Sequence, residues 1–257
     1  MAAAAAKAGG SSRFIGQIGD DRLGYQLVEE LAATGVEVVG KRGGTTGSVV
    51  VLLHPDGERS MLTDRGAAVL LDGPDPAWLD GVRLLHVPLY SLAEGPLAAT
   101  TATLIRWARE RDLPVTVDVS ATSVIERLGP EAVHGLLGDL RPAVILANRA
   151  EAELLDRGGA RSHIATEAFV EKRGGEPAIV TIGPKQVEVP AKRIGTVSDS
   201  TGAGDAFAAG YLLAHIDGAG AIKCTETGHQ LAAQSLTGRL STSQISGADL
   251  SDRERGS

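Results

Sequence analysis

"DSTGAGDAFAAGYL", Asp199 to Leu212, sets two carboxylates around Gly202-Ala203-Gly204 and runs straight into an apolar stretch of helical character. Glycines let a backbone approach a ligand closely. A helix starting here leaves unpaired N–H groups and its positive dipole end facing the loop. Such a corner takes anions, and phosphate suits it because the donors are fixed before charge moves in transfer. Asp205 is placed to take a proton from an attacking hydroxyl while the amides of Gly202, Ala203 and Gly204 hold phosphoryl oxygens. The same residues also read as an ordinary turn, with Asp199 or Ser200 capping the helix. The residues alone leave both readings open.

Upstream of this corner, short β-branched runs alternate with longer stretches of helical spacing, the pattern of strand–helix units around a largely parallel sheet. "RFIGQIG" predicts a strand, and "DDRLGYQLVEELAATG" predicts a helix with Leu23, Leu27 and Leu31 on one face and Gly35 at its stop. Residues 36–64 break the rhythm: valine runs around "RGGTTG" and a "HPDGE" turn predict hairpins, an insert projecting from the sheet, rather than a crossover helix. The alternation then resumes with "RLLHVPLYS", a helix over about 97–111, "PVTVDVS", a helix after Ser123, "AVILAN" and a helix through "RAEAELLDRG". "AIVTIG" and "QVEVPA" predict strands, and helices follow after Gly204 and over 219–237. There is no internal repeat or linker, so residues 1–240 read as one domain and 241–257 as a polar tail.

With 257 residues, 43% of them hydrophobic, the chain can bury a substantial core. A net charge of -7 gives no broad basic surface for nucleic acid or anionic membranes. One cysteine, Cys224, excludes an intramolecular disulfide and a cysteine-cluster metal site, which fits a reducing, cytoplasmic setting. No run of about 18 apolar residues marks a membrane span. "GVEVVGKR" satisfies Gly-x-x-x-x-Gly-Lys but carries Arg42 where a phosphate loop needs Ser or Thr, and Val36, Val38 and Val39 favour a strand. His86 and His229 show no metal-ligand spacing.

Asp199 to Asp205, three further residues and Ala209-Gly210-Tyr211-Leu212 resemble the C-terminal signature of the PfkB (ribokinase-like) carbohydrate kinases. The resemblance implies an α/β three-layer sandwich with a mostly parallel central sheet and a small β lid. It implies ATP-dependent phosphoryl transfer to a hydroxyl of a small sugar or sugar-like substrate. Asp205 would be the catalytic base, Gly202 to Gly204 the anion hole, and Asp199 a neighbour of a monovalent-cation site. Asn148 and Glu151 in "ANRAEAE" are similar to the family's Asn-x-x-Glu element near Mg²⁺ and phosphate, whose hard oxygens suit the ion, often through water. Taken alone, Glu151 reads as a first-turn acid favoured by the helix dipole.

"VTIG" resembles the nucleotide-side strand, which implies Thr181 and Gly183 near the ATP phosphates or ribose, although the loop's second glycine is absent. Arg65 in "DRGAA", Tyr90 in "PLYS" and Asp118 in "TVDVS" stand where the family lines its sugar pocket. The lid strands imply a homodimer. "FIGQIGDDRLG" resembles a segment that in the family follows a Gly-Gly-x-x-x-Asn signature, which implies that this signature and the first strand lie upstream of Met1. Two other readings share the fold: a catalytically weakened nucleotide- or sugar-binding protein, and a nucleoside kinase. A dinucleotide-dependent oxidoreductase would need Gly-x-Gly-x-x-Gly after its first strand, and this chain has none there.

Overall fold

In the computed structural model, residues 1–53, 59–120, 122–195 and 200–238 are described. The chain opens with α1 (Ala2–Lys7), β1 (Ser12–Ile18), α2 (Arg22–Ala33) and β2 (Val36–Arg42). Asp21 caps α2, its Oδ1 accepting from the Gly24 amide at 2.8 Å. Thr46 also donates to this carboxylate, through its hydroxyl and its amide, at 2.6 Å each. Those Thr46 bonds hold Asp21 below its ordinary carboxylate pKa.

β2 lies parallel to β1, Ser12 opposite Val36 and Ile18 opposite Arg42. This corrects the expectation of hairpins from residue 36 onward: β1–α2–β2 is a crossover unit, with α2 supplying the return path that a parallel pair requires. The hairpin is β3 (Thr46–Leu53) with β4 (Arg59–Gly66), paired antiparallel. Gly35 to Arg42 therefore enters a strand and not a phosphate loop, and Lys41 pairs with Asp72 at 2.6 Å.

Next come β5 (Leu85–Pro88), α3 (Gly95–Glu110), β6 (Val115–Asp118), α4 (Thr122–Leu128), α5 (Pro130–Leu140), β7 (Val144–Asn148) and α6 (Arg149–Asp156). β8 (Ala168–Lys172), β9 (Ala178–Ile182), β10 (Lys185–Val189), α7 (Ala203–Ile216) and α8 (Ala221–Leu236) complete the described elements. Six strands form one sheet in the order β10-β9-β8-β7-β6-β5. β5 to β8 are parallel, while β9 and β10 run antiparallel to their neighbours.

Alternation along the strands gives the sheet two apolar faces. Val117, Ile145 and Phe169 pack with Val124 of α4, Val133 of α5 and Leu155 of α6. Val144, Leu146 and Val170 pack with Phe207 and Tyr211 of α7 and Cys224 of α8. The glycine of the Ala209-Gly210 pair is where α7 and α8 meet: a Cβ at Gly210 would lie 2.7 Å from the Thr227 carbonyl oxygen, and one at Gly228 would lie 2.9 Å from that of Phe207. α1 lies on the same helix through Ala4 and Ala5 against Ala206 and Ala209.

Among the described residues no strand pairing joins β1 to β5. Side chains bridge the two sheets instead. Ile15 packs on the cluster containing Leu85 and Val87, and the Arg13 guanidinium donates to the carbonyls of Trp78 at 2.8 Å and Asp80 at 2.9 Å.

Candidate active site

Because β5 to β8 are parallel, their C-terminal residues Pro88, Asp118, Asn148 and Lys172 share one edge of the sheet, the edge where open α/β sheets bind ligands. α7 starts near this edge at Gly202, a left-handed residue with φ of 78° that glycine adopts without the steric cost of a Cβ. The Ala203 amide donates to the Ser200 carbonyl at 3.2 Å, so of the three expected anion-hole donors this one is engaged in the turn. The corner itself is open. Asp205 is 64% exposed, and a Cβ at Gly202 or Gly204 would meet nothing within 4 Å. The Met1 α-amino nitrogen lies 3.3 Å from Asp205 Oδ2.

Arg65, Tyr90 and Asp118 gather at the same edge. The Arg65 guanidinium stands 4.6 Å from the Tyr90 ring centroid, a cation–π contact. Burial pushes the Tyr90 hydroxyl pKa up; the Arg65 charge opposes this, and the charges of Asp205 and Asp118 add to it. One phenol therefore feels β4, β6 and α7 together. The Asp118 carboxylate accepts from the Ser120 amide at 3.1 Å and pairs with Lys172 Nζ at 2.6 Å.

Asn148 and Glu151 form a capping box at the start of α6. The Asn148 side-chain oxygen accepts from the Glu151 amide at 2.9 Å. Glu151 in turn accepts from the Asn148 amide and side-chain nitrogen, 2.8 Å each. Burial raises the Glu151 pKa, with the Asn148 amide and Lys172 opposing. Both Glu151 carboxylate oxygens accept from Asn148 and the residue is 4% exposed, an arrangement that suits contact with a metal through water. Among the described residues no three His, Cys, Asp or Glu side chains converge as a metal would need. Asp199 lies outside the described residues.

Thr181 and Gly183 are not brought to this edge. β9 runs antiparallel to β8 with Thr181 opposite Phe169, the second residue of β8, so the β9–β10 turn opens at the far end of the sheet. The strand that does reach the site beside Asn148 is β8, ending in Lys172 with Gly174 beyond it at φ of 60°. Its "AFVEK" was missed because Glu171 and Lys172 interrupt an apolar run. Glu171 is 2% exposed only because Arg161 and Arg173 each pair with it at 2.5 Å.

His86 is the other residue that sequence reasoning set aside. Its Nδ1 lies 2.8 Å from the hydroxyl of Thr116, directly opposite on β6. Burial pushes the imidazole down from 6.5 to about 4, against the opposing charge of Asp118. The unfolded chain thus takes up this proton first, so the His86 contribution is complete above pH 6.5 and is lost as pH falls toward 4. The expected loss is about 3 kcal/mol across that window. Melting curves of the wild type and His86→Gln between neutral and acidic pH check it, the variant showing the flatter dependence.

Residues 1–246 match the profile of the pfkB family carbohydrate kinases. The chain belongs to that family. Fructokinase-2 of Zea mays is 30% identical over 233 residues, which span 83% of this chain and 68% of that protein. The crystal structure of adenosine kinase from Sinorhizobium meliloti superposes with a TM-score of 0.83 at 24% identity, over 92% of this chain and 75% of its own. Fructokinase from Vibrio cholerae O395, solved with fructose, ADP and calcium ion bound, superposes with a TM-score of 0.75 at 21% identity, over 91% and 82%. The pfkB fold is thereby established for this carbohydrate kinase: a ribokinase-like sandwich whose central sheet is mostly parallel.

Proposed function

We propose that this enzyme transfers the γ-phosphoryl group of ATP to a hydroxyl of a small sugar or sugar-like substrate, with Asp205 as general base. The observation that carries the reading is the open glycine corner at the start of α7, with an exposed carboxylate beside the Arg65–Tyr90–Asp118 group. Asp205 takes the proton of the attacking hydroxyl. The positive end of α7 and the free first-turn amides stabilise the phosphoryl oxygens. Arg65 and Asp118 offer a donor fork and an acceptor pair to a hydroxyl-rich acceptor. Proximity and fixed charge then lower the barrier without covalent participation of the protein.

The ADP and calcium ion in the Vibrio cholerae relative support use of a nucleotide with a divalent cation, Mg²⁺ in our reading, held through water near Asn148 and Glu151. Asp199 is assigned to a monovalent-cation site. A cleft of about 600 Å³ between residues 192–195 and α8, lined by Lys192, Arg193, Gln230 and Gln234, is of nucleoside size. The half-exposed Tyr90 ring favours one second reading, a nucleoside acceptor stacked on it, as the resemblance to an adenosine kinase suggests. We place the enzyme in the cytoplasm, consistent with its single, buried, unbridged Cys224. No helix among the described residues is long and apolar enough to cross a membrane.

An ADP-release screen over sugars and nucleosides, with Mg²⁺ and K⁺, tests the proposal. Release above the acceptor-free rate supports it, and silence with every acceptor together with no nucleotide binding overturns it. The enzyme is further proposed to be a homodimer through β3 and β4. Val49, Val50, Val51 and Leu52 are each about half exposed and Leu62 is 62% exposed, so both faces of the hairpin are apolar and bare. Val50→Lys combined with Leu62→Asp is expected to convert a dimer to a monomer in sedimentation velocity. A monomeric wild type would remove the interface.

A further inference from the structure

Lys172 takes no part in the transfer just described, yet its largely buried ion pair with Asp118 spans the two halves of the site. Lys172 ends β8 directly opposite Asn148, beside the capping box. Asp118 ends β6, two strands away, on the acceptor side. The lysine stem crosses the end of β7 to bring Nζ within 2.6 Å of Asp118 Oδ2, and the two side chains are 15% and 14% exposed. Both charges act on Glu151 and on His86, and His86 also feels Asp205. The ammonium therefore reaches from the strand end beside Asn148 to the Asp118 carboxylate.

A buried ammonium gives up one anion only for another. A polyphosphate arriving at this edge is such an anion, and lysine, a point charge on a flexible stem with three donors, is suited to changing partners. We infer that Lys172 is a shared counter-ion: it pairs with Asp118 in the empty enzyme and moves to the nucleotide phosphates on binding, freeing Asp118 to accept a hydrogen bond from the acceptor hydroxyl. This rests on the proposed phosphotransfer. Nucleotide binding then raises acceptor affinity, and the acceptor raises nucleotide affinity by the same factor. Lys172 is a positioning residue, and its effect reaches the acceptor through Asp118.

The test is calorimetric titration of Mg²⁺ and a non-hydrolysable ATP analogue into the wild type, Asp118→Asn, Lys172→Met and the double variant. Asp118→Asn removes the competing anion and is expected to tighten analogue binding about fivefold; Lys172→Met weakens it about tenfold or more. In the Lys172→Met background, Asp118→Asn should change affinity by less than about twofold. A purely structural pair predicts unchanged or weaker binding in Asp118→Asn, and that result overturns the inference while leaving phosphotransfer standing. Absence of binding in all four proteins overturns both. Should circular dichroism show Asp118→Asn unfolded, Lys172→Met decides: affinity equal to wild type overturns the inference, and a loss recovered in Lys172→Arg supports it.

Discussion

Asp205→Asn is expected to cut turnover about a thousandfold while leaving the melting temperature and nucleotide affinity near wild type. The separation follows from where the carboxylate sits. Asp205 is in the first turn of α7 and 64% exposed, and its ion pair with the Met1 amine is of the exposed kind that contributes little to stability. Its neighbours Ala206 to Leu212 carry the packing of that helix. The asparagine keeps the size of the side chain and removes the site that accepts a proton. ADP release measured alongside direct nucleotide binding checks the split. Full turnover in the variant would take the general-base role away from Asp205; loss of folding with turnover would give the residue a structural role instead.

Gly210→Leu should unfold the enzyme or cost about 4 kcal/mol or more in guanidinium titration. A Cβ at this position would stand 2.7 Å from the Thr227 carbonyl oxygen, 3.0 Å from the Leu231 Cβ and 3.1 Å from the Gly228 Cα. Two of these three atoms are backbone and the third is the stub of a core residue, so no rotamer change relieves the overlap. α7 and α8 would have to separate, taking Phe207, Tyr211 and Cys224 off the sheet. An unchanged denaturation midpoint would show that the helices do not meet at this glycine. The Ala209-Gly210 half of the Asp199–Leu212 motif thus serves packing, while its Gly202-to-Asp205 half carries the proposed chemistry.

The start of α7 at the glycine corner was legible because its signals are local, glycines and a helix start within a few consecutive residues, whereas its chemical reading came from family resemblance, since the same residues also read as a cap and turn. The alternation that builds β5 to β7 with their helices was legible for the same reason, since buried parallel strands read as short continuous apolar runs. Pairing direction is a different matter. Hydrophobic period does not state whether a strand runs parallel or antiparallel to its neighbour, which is why β2 was expected in a hairpin; Thr181 was expected at the site only from the likeness of "VTIG" to the family's nucleotide-side strand. β8 escaped because its Glu171 and Lys172 become tolerable inside only through Arg161, Arg173 and Asp118, partners that the fold supplies. The gathering of Arg65, Tyr90 and Asp118 came from family resemblance, because three residues from separate elements carry no shared local signal.

The gap in backbone pairing between β1 and β5 divides the molecule mechanically. The unit of β1, α2, β2 and the β3–β4 hairpin is stitched internally by its own ladders and by Asp21, but it meets the larger sheet through side chains. Such a unit can open by itself at a lower free energy than global unfolding. Arg65 rides on that unit, whereas Asp205, Asn148 and Lys172 stand on the six-stranded body or the helices packed against it. On the proposed assignment of these residues, breathing of the smaller unit would uncover the acceptor side while the phosphate side keeps its shape, so cargo could be exchanged without dismantling the machinery that acts on it.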